Sequence, residues 1–114
     1  MHELSITQSV VDAVLDHVDG ARLDGAEVVA VRVRVGLLSG VVPEAMRFCF
    51  ELITEGTSLQ EARLDIVQPP GTAHCAACDL DFSLTDLVLL CPCGSADVEV
   101  RTGRELEISS VEVA

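Results

Sequence analysis

Residues 74–95 read HCAACDLDFSLTDLVLLCPCGS, and the spacing of their cysteines decides how the rest of the chain must be organised. Cys75 and Cys78 form a CxxC pair, twelve residues follow, and Cys91 and Cys93 form a CxC pair. Four thiolates carried on two short turns can surround one tetrahedral ion, and the residues between them suffice for a hairpin that sets the turns face to face. Alternation in Leu80, Phe82 and Leu84 supports that hairpin. Left as merely buried thiols, the four would sit in a segment of roughly thirty residues with almost no core of its own. Tetrahedral thiolate suits zinc best, with iron the lesser alternative. Because four thiolates leave no position for a catalytic water, the zinc is read as structural. The CPC pair is tighter than a CPxC knuckle, so His74 is the nearest substitute for Cys93 as fourth ligand. The simpler reading of His74 is a polar residue at the edge of a turn.

Working outward from this segment, period-two alternation over Val28–Leu37 predicts a strand, with Val29, Val31, Val33 and Val35 on one face and Ala30, Arg32 and Arg34 on the other. Before it, Ser5 and Gln8 match a capping box, and Val10, Val11, Val14, Leu15 and Val18 recur at helical spacing up to Gly20, with Glu3 an alternative start. After it, Pro43 suits a first helical turn, and Ala45, Phe48, Cys49, Leu52 and Ile53 line one face of a second helix that Gly56 stops. Ala62–Val67 reads as a second strand ended by Pro69-Pro70-Gly71. Beyond the cysteines, Val98 and Val100, a turn at Thr102-Gly103, and then Leu106, Ile108, Val111 and Val113 read as returning strands. The last is too long and apolar to stand alone and is expected to rejoin the first two. The expected fold is therefore α+β: two helices on a small mixed sheet, with an inserted zinc-ribbon-like module. Its expected boundaries are residues 1–68 plus 98–114 for the main domain and 69–97 for the module.

Composition narrows the function. The 114 residues are 49% hydrophobic but include only three Phe and no Trp or Tyr, so the core is aliphatic and stacking surfaces for bases are scarce. Seven basic residues against nineteen acidic ones give a net charge of -12, which repels phosphate backbones and anionic membranes. No stretch approaches the ~18 apolar residues of a membrane span, and no basic patch leads into an apolar run at the start. A cytoplasmic protein without nucleic-acid or membrane partners is expected. Cysteine usage agrees, since an odd count of five at metal-like spacing argues for metal rather than disulfides.

The chain opens MHELSITQSVV, which puts a histidine and a glutamate directly behind Met1. The α-amine of Met1, the amide nitrogen and Nδ1 of His2, and the amide of Glu3 can form a plane of four nitrogens. Such donors favour square-planar Ni(II) or Cu(II) over zinc, and the Glu3 carboxylate can join a six-coordinate ion. Against this stands the plain reading of an acidic residue near a helix start and a solvated terminal histidine.

Taken together, MHELS at the terminus, VRVRVGLLSGVVPEAMRFCFE in the middle, and CxxC with CPC late in the chain resemble the HypA/HybF family of hydrogenase nickel-incorporation proteins over essentially the whole length. The resemblance implies a nickel metallochaperone, not an enzyme, which works with a nickel-handling GTPase and helps deliver Ni(II) to the large subunit of NiFe-hydrogenase. It implies His2 as the essential nickel ligand with Glu3 beside it and Met1 as source of the amine. It implies Cys75, Cys78, Cys91 and Cys93 as the structural zinc ligands. Urease maturation proteins are further candidate partners, and a homodimer is an open option. The shortened CPC departs from the common family pattern.

Other residues read more plainly. Cys49 lies among apolar neighbours as a packing thiol, His17 as a surface residue near a helix end, and Glu105 and Glu107 as the outer face of a strand. No Ser, His and Asp grouping marks an enzyme. The rival function is a zinc-stapled protein-protein adaptor that carries no nickel.

Overall fold

A computed structural model of the chain describes residues 2–20 and 27–114, with side chains over residues 3–18 and 27–114. Met1 and the side chain of His2, two elements of the expected nickel site, lie outside the described residues. The elements are α1 (His2–Gly20), β1 (Val28–Val35), α2 (Pro43–Thr54), β2 (Arg63–Val67), β3 (Gly71–Cys75), β4 (Asp81–Leu84), β5 (Val98–Thr102) and β6 (Leu106–Val113). They form two three-stranded sheets, ordered β2-β1-β6 and β4-β3-β5. The chain divides into two compact units, one of Met1–Val33, Val41–Ile66 and Ile108–Ala114, the other of Arg34–Gly40 and Val67–Glu107.

In the first unit, α1 buries Val10, Val11, Val14 and Val18 of the positions that helical spacing selects and leaves Leu15 half-buried. The helix starts ahead of Ser5, so Ser5 and Gln8 are not its capping box. Ser9 Oγ donates to the Ser5 carbonyl at 3.1 Å, and the Gln8 amide turns forward to Asp12 Oδ1 at 2.9 Å. Strand β1 follows from its valines, whose branched Cβ favours extended backbone. Val31, Val33 and Val35 are fully buried and Arg32 is exposed, as alternation requires. Val28 and Ala30 are also buried, so the start of the strand is covered on both faces. Each such valine contributes about 1.5–3 kcal/mol of apolar burial.

Helix α2 turns a different face to the core from the one its periodicity suggests. Met46, Phe50 and Thr54 are buried, while Phe48 and Leu52 are exposed. The apolar residues of α2 form two stripes rather than one. The inner stripe is masked in the sequence because it ends in a polar residue. Thr54 is accommodated there by donating its hydroxyl to the Phe50 carbonyl at 2.7 Å.

Strand β6 rejoins β1 as expected. Ala114 N donates to Glu27 O at 2.9 Å, Ser109 Oγ to Arg32 O at 3.2 Å and Gly36 N to Glu105 O at 2.7 Å, so one strand rises in number as the other falls. The pair is antiparallel. Beyond the carboxyl ends of both β1 and β2, Leu37 N donates to Pro69 O at 3.3 Å, which sets those two strands in the same direction. The sheet is therefore mixed.

In the second unit β3 is central, pairing antiparallel with β4 (Gly71↔Leu84 to His74↔Asp81) and with β5 (Ala73↔Val100, Cys75↔Val98). This corrects the expected boundary: residues 98–107 belong with the cysteine segment, not with the α+β sheet. The reason is that β3 has two edges, and β5 satisfies the one that β4 leaves. The twelve residues between the cysteine pairs do not fold back on themselves, since β4 pairs with the strand preceding Cys78. Gly36 is fixed by crowding: a Cβ there would stand 2.2 Å from the Gly103 carbonyl oxygen and 2.7 Å from Glu105 N.

Candidate metal centre

The first cysteine pair sits where β3 runs out. Cys75 is its last residue, and the chain turns there with Asp79 N donating to Cys75 O at 2.8 Å and Cys75 N to Leu80 O at 2.8 Å before β4 begins. Asp79 takes a left-handed conformation (φ 60°) to complete the turn, a conformation that aspartate tolerates better than most residues. The second pair rides on an independent turn closed by Gly94 N to Cys91 O at 2.8 Å and Cys91 N to Ser95 O at 2.9 Å, with Gly94 at φ 96°. A residue with a side chain is strained at that φ, so the glycine is what makes the short CPC spacing workable.

These two turns bring the thiols of Cys75, Cys78, Cys91 and Cys93 within 4.8 Å of one another. Cys75 Sγ is 3.8 Å from Cys93 Sγ, and Cys78 Sγ is 3.6 Å from Cys91 Sγ. A tetrahedral ion with metal–sulfur bonds of about 2.3 Å requires sulfur atoms roughly 3.8 Å apart, so the cradle fits one ion held by four thiolates. Cys93 takes its place in the set despite the shortened spacing. Among the described residues this is the one group of three or more such ligands.

The surroundings prepare the cluster for a cation. Cys75 and Cys91 are buried, while Cys78 and Cys93 are exposed. The backbone N–H of Cys78 aims at the Cys75 sulfur and is the main reason its thiol is drawn down to about 7, against burial. Cys78 is pushed up to about 12, first by its hydrogen bond with Cys91 and then by burial. Cys91 is raised chiefly by burial. Four thiolates this close repel one another, so protons stay on most of them until a divalent ion takes their place.

His74 does not enter the set. Its Nδ1 lies 2.6 Å from Asp81 Oδ1 and its Nε2 2.9 Å from Asp79 Oδ1, so both ring nitrogens face carboxylates. Asp81 is its cross-strand partner in the β3–β4 register, and the hydrogen bond to it is the main cause of a raised imidazole pKa. The substitution of His74 for Cys93 is therefore not what the structure shows. Sequence reading missed the two aspartates, although a correct β3–β4 register would have placed Asp81 opposite His74.

At the other candidate site, Glu3 lies in the first turn of α1. Its Oε2 accepts the backbone N–H of Val42 at 3.1 Å. Val42 is the N-cap of α2 and makes no side-chain cap of its own; the Glu3 carboxylate holds the N-cap N–H, as the glutamate of a capping box does, and meets the positive end of the α2 dipole. Cys49 is half-buried on α2 and His17 is exposed near the end of α1, as the sequence suggests.

Two helices on a mixed sheet, joined in sequence to a β module that gathers four thiols at metal-ligand spacing, define a small α+β protein with a four-cysteine cluster. The family model described as "Hydrogenase/urease nickel incorporation, metallochaperone, hypA" matches residues 1–113. The chain belongs to that family, HypA. It is 39% identical over 113 residues to the hydrogenase maturation factor HypA of Nostoc punctiforme, covering 99% of this chain and 96% of the relative. It is 43% identical over 114 residues to that of Geobacter metallireducens, covering 99% of each. Among solved structures it resembles the Ni metallochaperone HypA from Helicobacter pylori, with a TM-score of 0.63 at 25% identity over 97% of this chain and 96% of that one. A second solution structure, of a HypA protein, superposes with a TM-score of 0.69 at 24% identity over 100% and 97%, which supports the fold. The family is one of metallochaperones and maturation factors for hydrogenase and urease nickel. No helix among the described residues is long and apolar enough to cross a membrane.

Proposed function

We propose that this chain binds Ni(II) through Met1, His2 and Glu3 and helps deliver it to NiFe-hydrogenase in the cytoplasm, while Cys75, Cys78, Cys91 and Cys93 hold a structural zinc ion. The observation that carries the nickel reading is the family match, which runs from residue 1 and so takes in the terminal Met-His-Glu. The helix supports it. An α-helical ladder draws its first donor from the fifth residue, so the amide nitrogens of residues 2 and 3 stand outside the ladder of α1 and can turn to an ion. For zinc, the support is an all-sulfur tetrahedral cradle, which is the chemistry of a closed staple. Cargo and staple thus belong to different units of the chain.

On this reading the chain works beside the nickel-handling GTPase of hydrogenase maturation and meets the hydrogenase large subunit, with urease maturation proteins as further clients. A chaperone must release what it holds, and ligands at a chain terminus are open to attack by an acceptor's ligands in a way that a buried cage is not.

The test is a Ni(II) titration of zinc-loaded protein with its native terminus beside the same chain carrying one Gly ahead of Met1. The extension moves the amine and leaves every side chain in place. Tight binding that is lost or strongly weakened by the extension supports the amine-amide-imidazole site. Equal binding moves the nickel to other side chains, and no specific binding in either leaves the zinc-stapled adaptor.

A further inference from the structure

The sequence periodicity of α2 marks Ala45, Phe48, Cys49, Leu52 and Ile53 as an apolar face, and the structure leaves Phe48 and Leu52 of that face exposed while Ala45, Cys49 and Ile53 are half-buried. Phe48 is 62% exposed and Leu52 55%, in a chain that has only three aromatic residues to spend on its core. Val42, the N-cap that precedes the helix, is exposed as well. On α1, Leu4 is exposed and follows Glu3, the residue whose carboxylate holds the Val42 N–H. One flank of the stripe is acidic: Glu44, Glu51 and Glu55 recur at helical spacing beside it and are all exposed. Arg47, the one base of α2, is bound to Glu44 at 2.6 Å.

We infer that Phe48 and Leu52 form the centre of a docking face for a partner protein that presents an apolar cleft edged with lysine or arginine. An exposed apolar stripe with a polar rim is the usual mark of a protein-binding surface. The rim chooses the occupant. A second copy of this chain brings another -12 charges and the same glutamates, and an anionic membrane is repelled for the same reason. A basic-edged cleft is attracted and steered. The face adjoins the start of α1, so the partner seated on it is the one that gives or takes the ion. That last step rests on the nickel reading, whereas the docking face itself does not.

The experiment uses the full zinc-loaded chain in cells whose own copy is deleted, with nickel-enzyme activity as the readout at limiting nickel. The double variant Phe48→Glu/Leu52→Glu changes exposed side chains only, and its zinc content, helicity and Ni(II) titration are measured beside the parent. The expected result is at least a tenfold loss of nickel-enzyme activity with Ni(II) affinity within about twofold of the parent. A benzoylphenylalanine photo-crosslinker at position 48 is expected to label one different protein, mapped next to lysine or arginine. Labelling is expected to fall at least fivefold when Glu51→Lys/Glu55→Lys is added. Full activity of the double variant overturns the inference, as does a crosslink to a second copy or labelling indifferent to the charge reversal. If the parent binds no nickel, the nickel reading fails, and the crosslink pattern still decides the docking face.

Discussion

Replacing Cys93 with Ser, set beside His74→Ala, tests the metal centre where its sequence is least usual. Cys93 Sγ stands 3.8 Å from Cys75 Sγ, within the spacing that a shared ion imposes, whereas both nitrogens of His74 are taken by Asp79 and Asp81. Structural zinc in small modules binds with about 10–16 kcal/mol, so an equal share among four ligands is roughly 2.5–4 kcal/mol each. At 1.4 kcal/mol per decade, Cys93→Ser should weaken zinc binding on the order of 10²–10³-fold. His74→Ala should stay within about threefold, because the imidazole supports the β3–β4 turn and touches no sulfur. The assay is competition against a chromophoric chelator at neutral pH, with Co(II) substituted for zinc to read the ligand field. Loss of one thiolate should reduce the intensity of the sulfur-to-cobalt charge-transfer bands. A Cys93→Ser protein that keeps its affinity, together with a His74→Ala protein that loses it, would refute the four-thiolate assignment.

Three further outcomes follow from the same geometry. Gly36→Ala should destabilise the fold by about 3–5 kcal/mol in urea titrations of zinc-loaded protein, since its Cβ collides with backbone and strains the Gly36–Glu105 and Leu38–Gly103 hydrogen bonds, whereas Gly40→Ala should cost only about 1–2 kcal/mol. A smaller loss at Gly36 than at Gly40 contradicts the packing described. Arg63 holds the Asp65 carboxylate at 2.8 and 3.1 Å and lowers its pKa, chiefly through that hydrogen bond, so the pair stabilises the fold above the ordinary carboxylate range and the benefit fades as pH falls through the lowered value. The urea midpoints of parent and Asp65→Asn should therefore converge on acidification, and a constant gap counts against the pairing. On the proposed nickel site, Ni(II) affinity should drop from pH 8 to pH 6 as the α-amine and His2 take up protons; a flat profile excludes those ligands.

The sequence carried most of the first sheet, because buried valines at period two leave few alternatives, and it carried the cysteine cluster, because metal ligands announce themselves by type and spacing. It misplaced what depends on long-range pairing. Val98–Thr102 alternates as any strand would, and nothing local says that its partner is β3 rather than β1. The face of α2 was misread for a related reason. Its outer stripe is the more apolar of the two in sequence, and burial of Thr54 becomes intelligible only once its hydroxyl is seen bonded to Phe50. At the metal site, the residues that hold His74 away from the thiols lie five and seven positions downstream, so only the folded turn brings them to it.

If Ni(II) binds as proposed, the hydrogen bond from Val42 to Glu3 separates two modes of coordination. An ion held by four nitrogens uses the Glu3 amide and leaves its carboxylate seated on the first turn of α2. An ion that takes Oε2 must unseat it and frees the Val42 amide to exchange its proton with water, whereas an ion bound through Oε1 leaves that bond in place. The hydrogen-exchange rate of that one amide is thus a local gauge of whether Glu3 Oε2 stays on Val42 when Ni(II) is added.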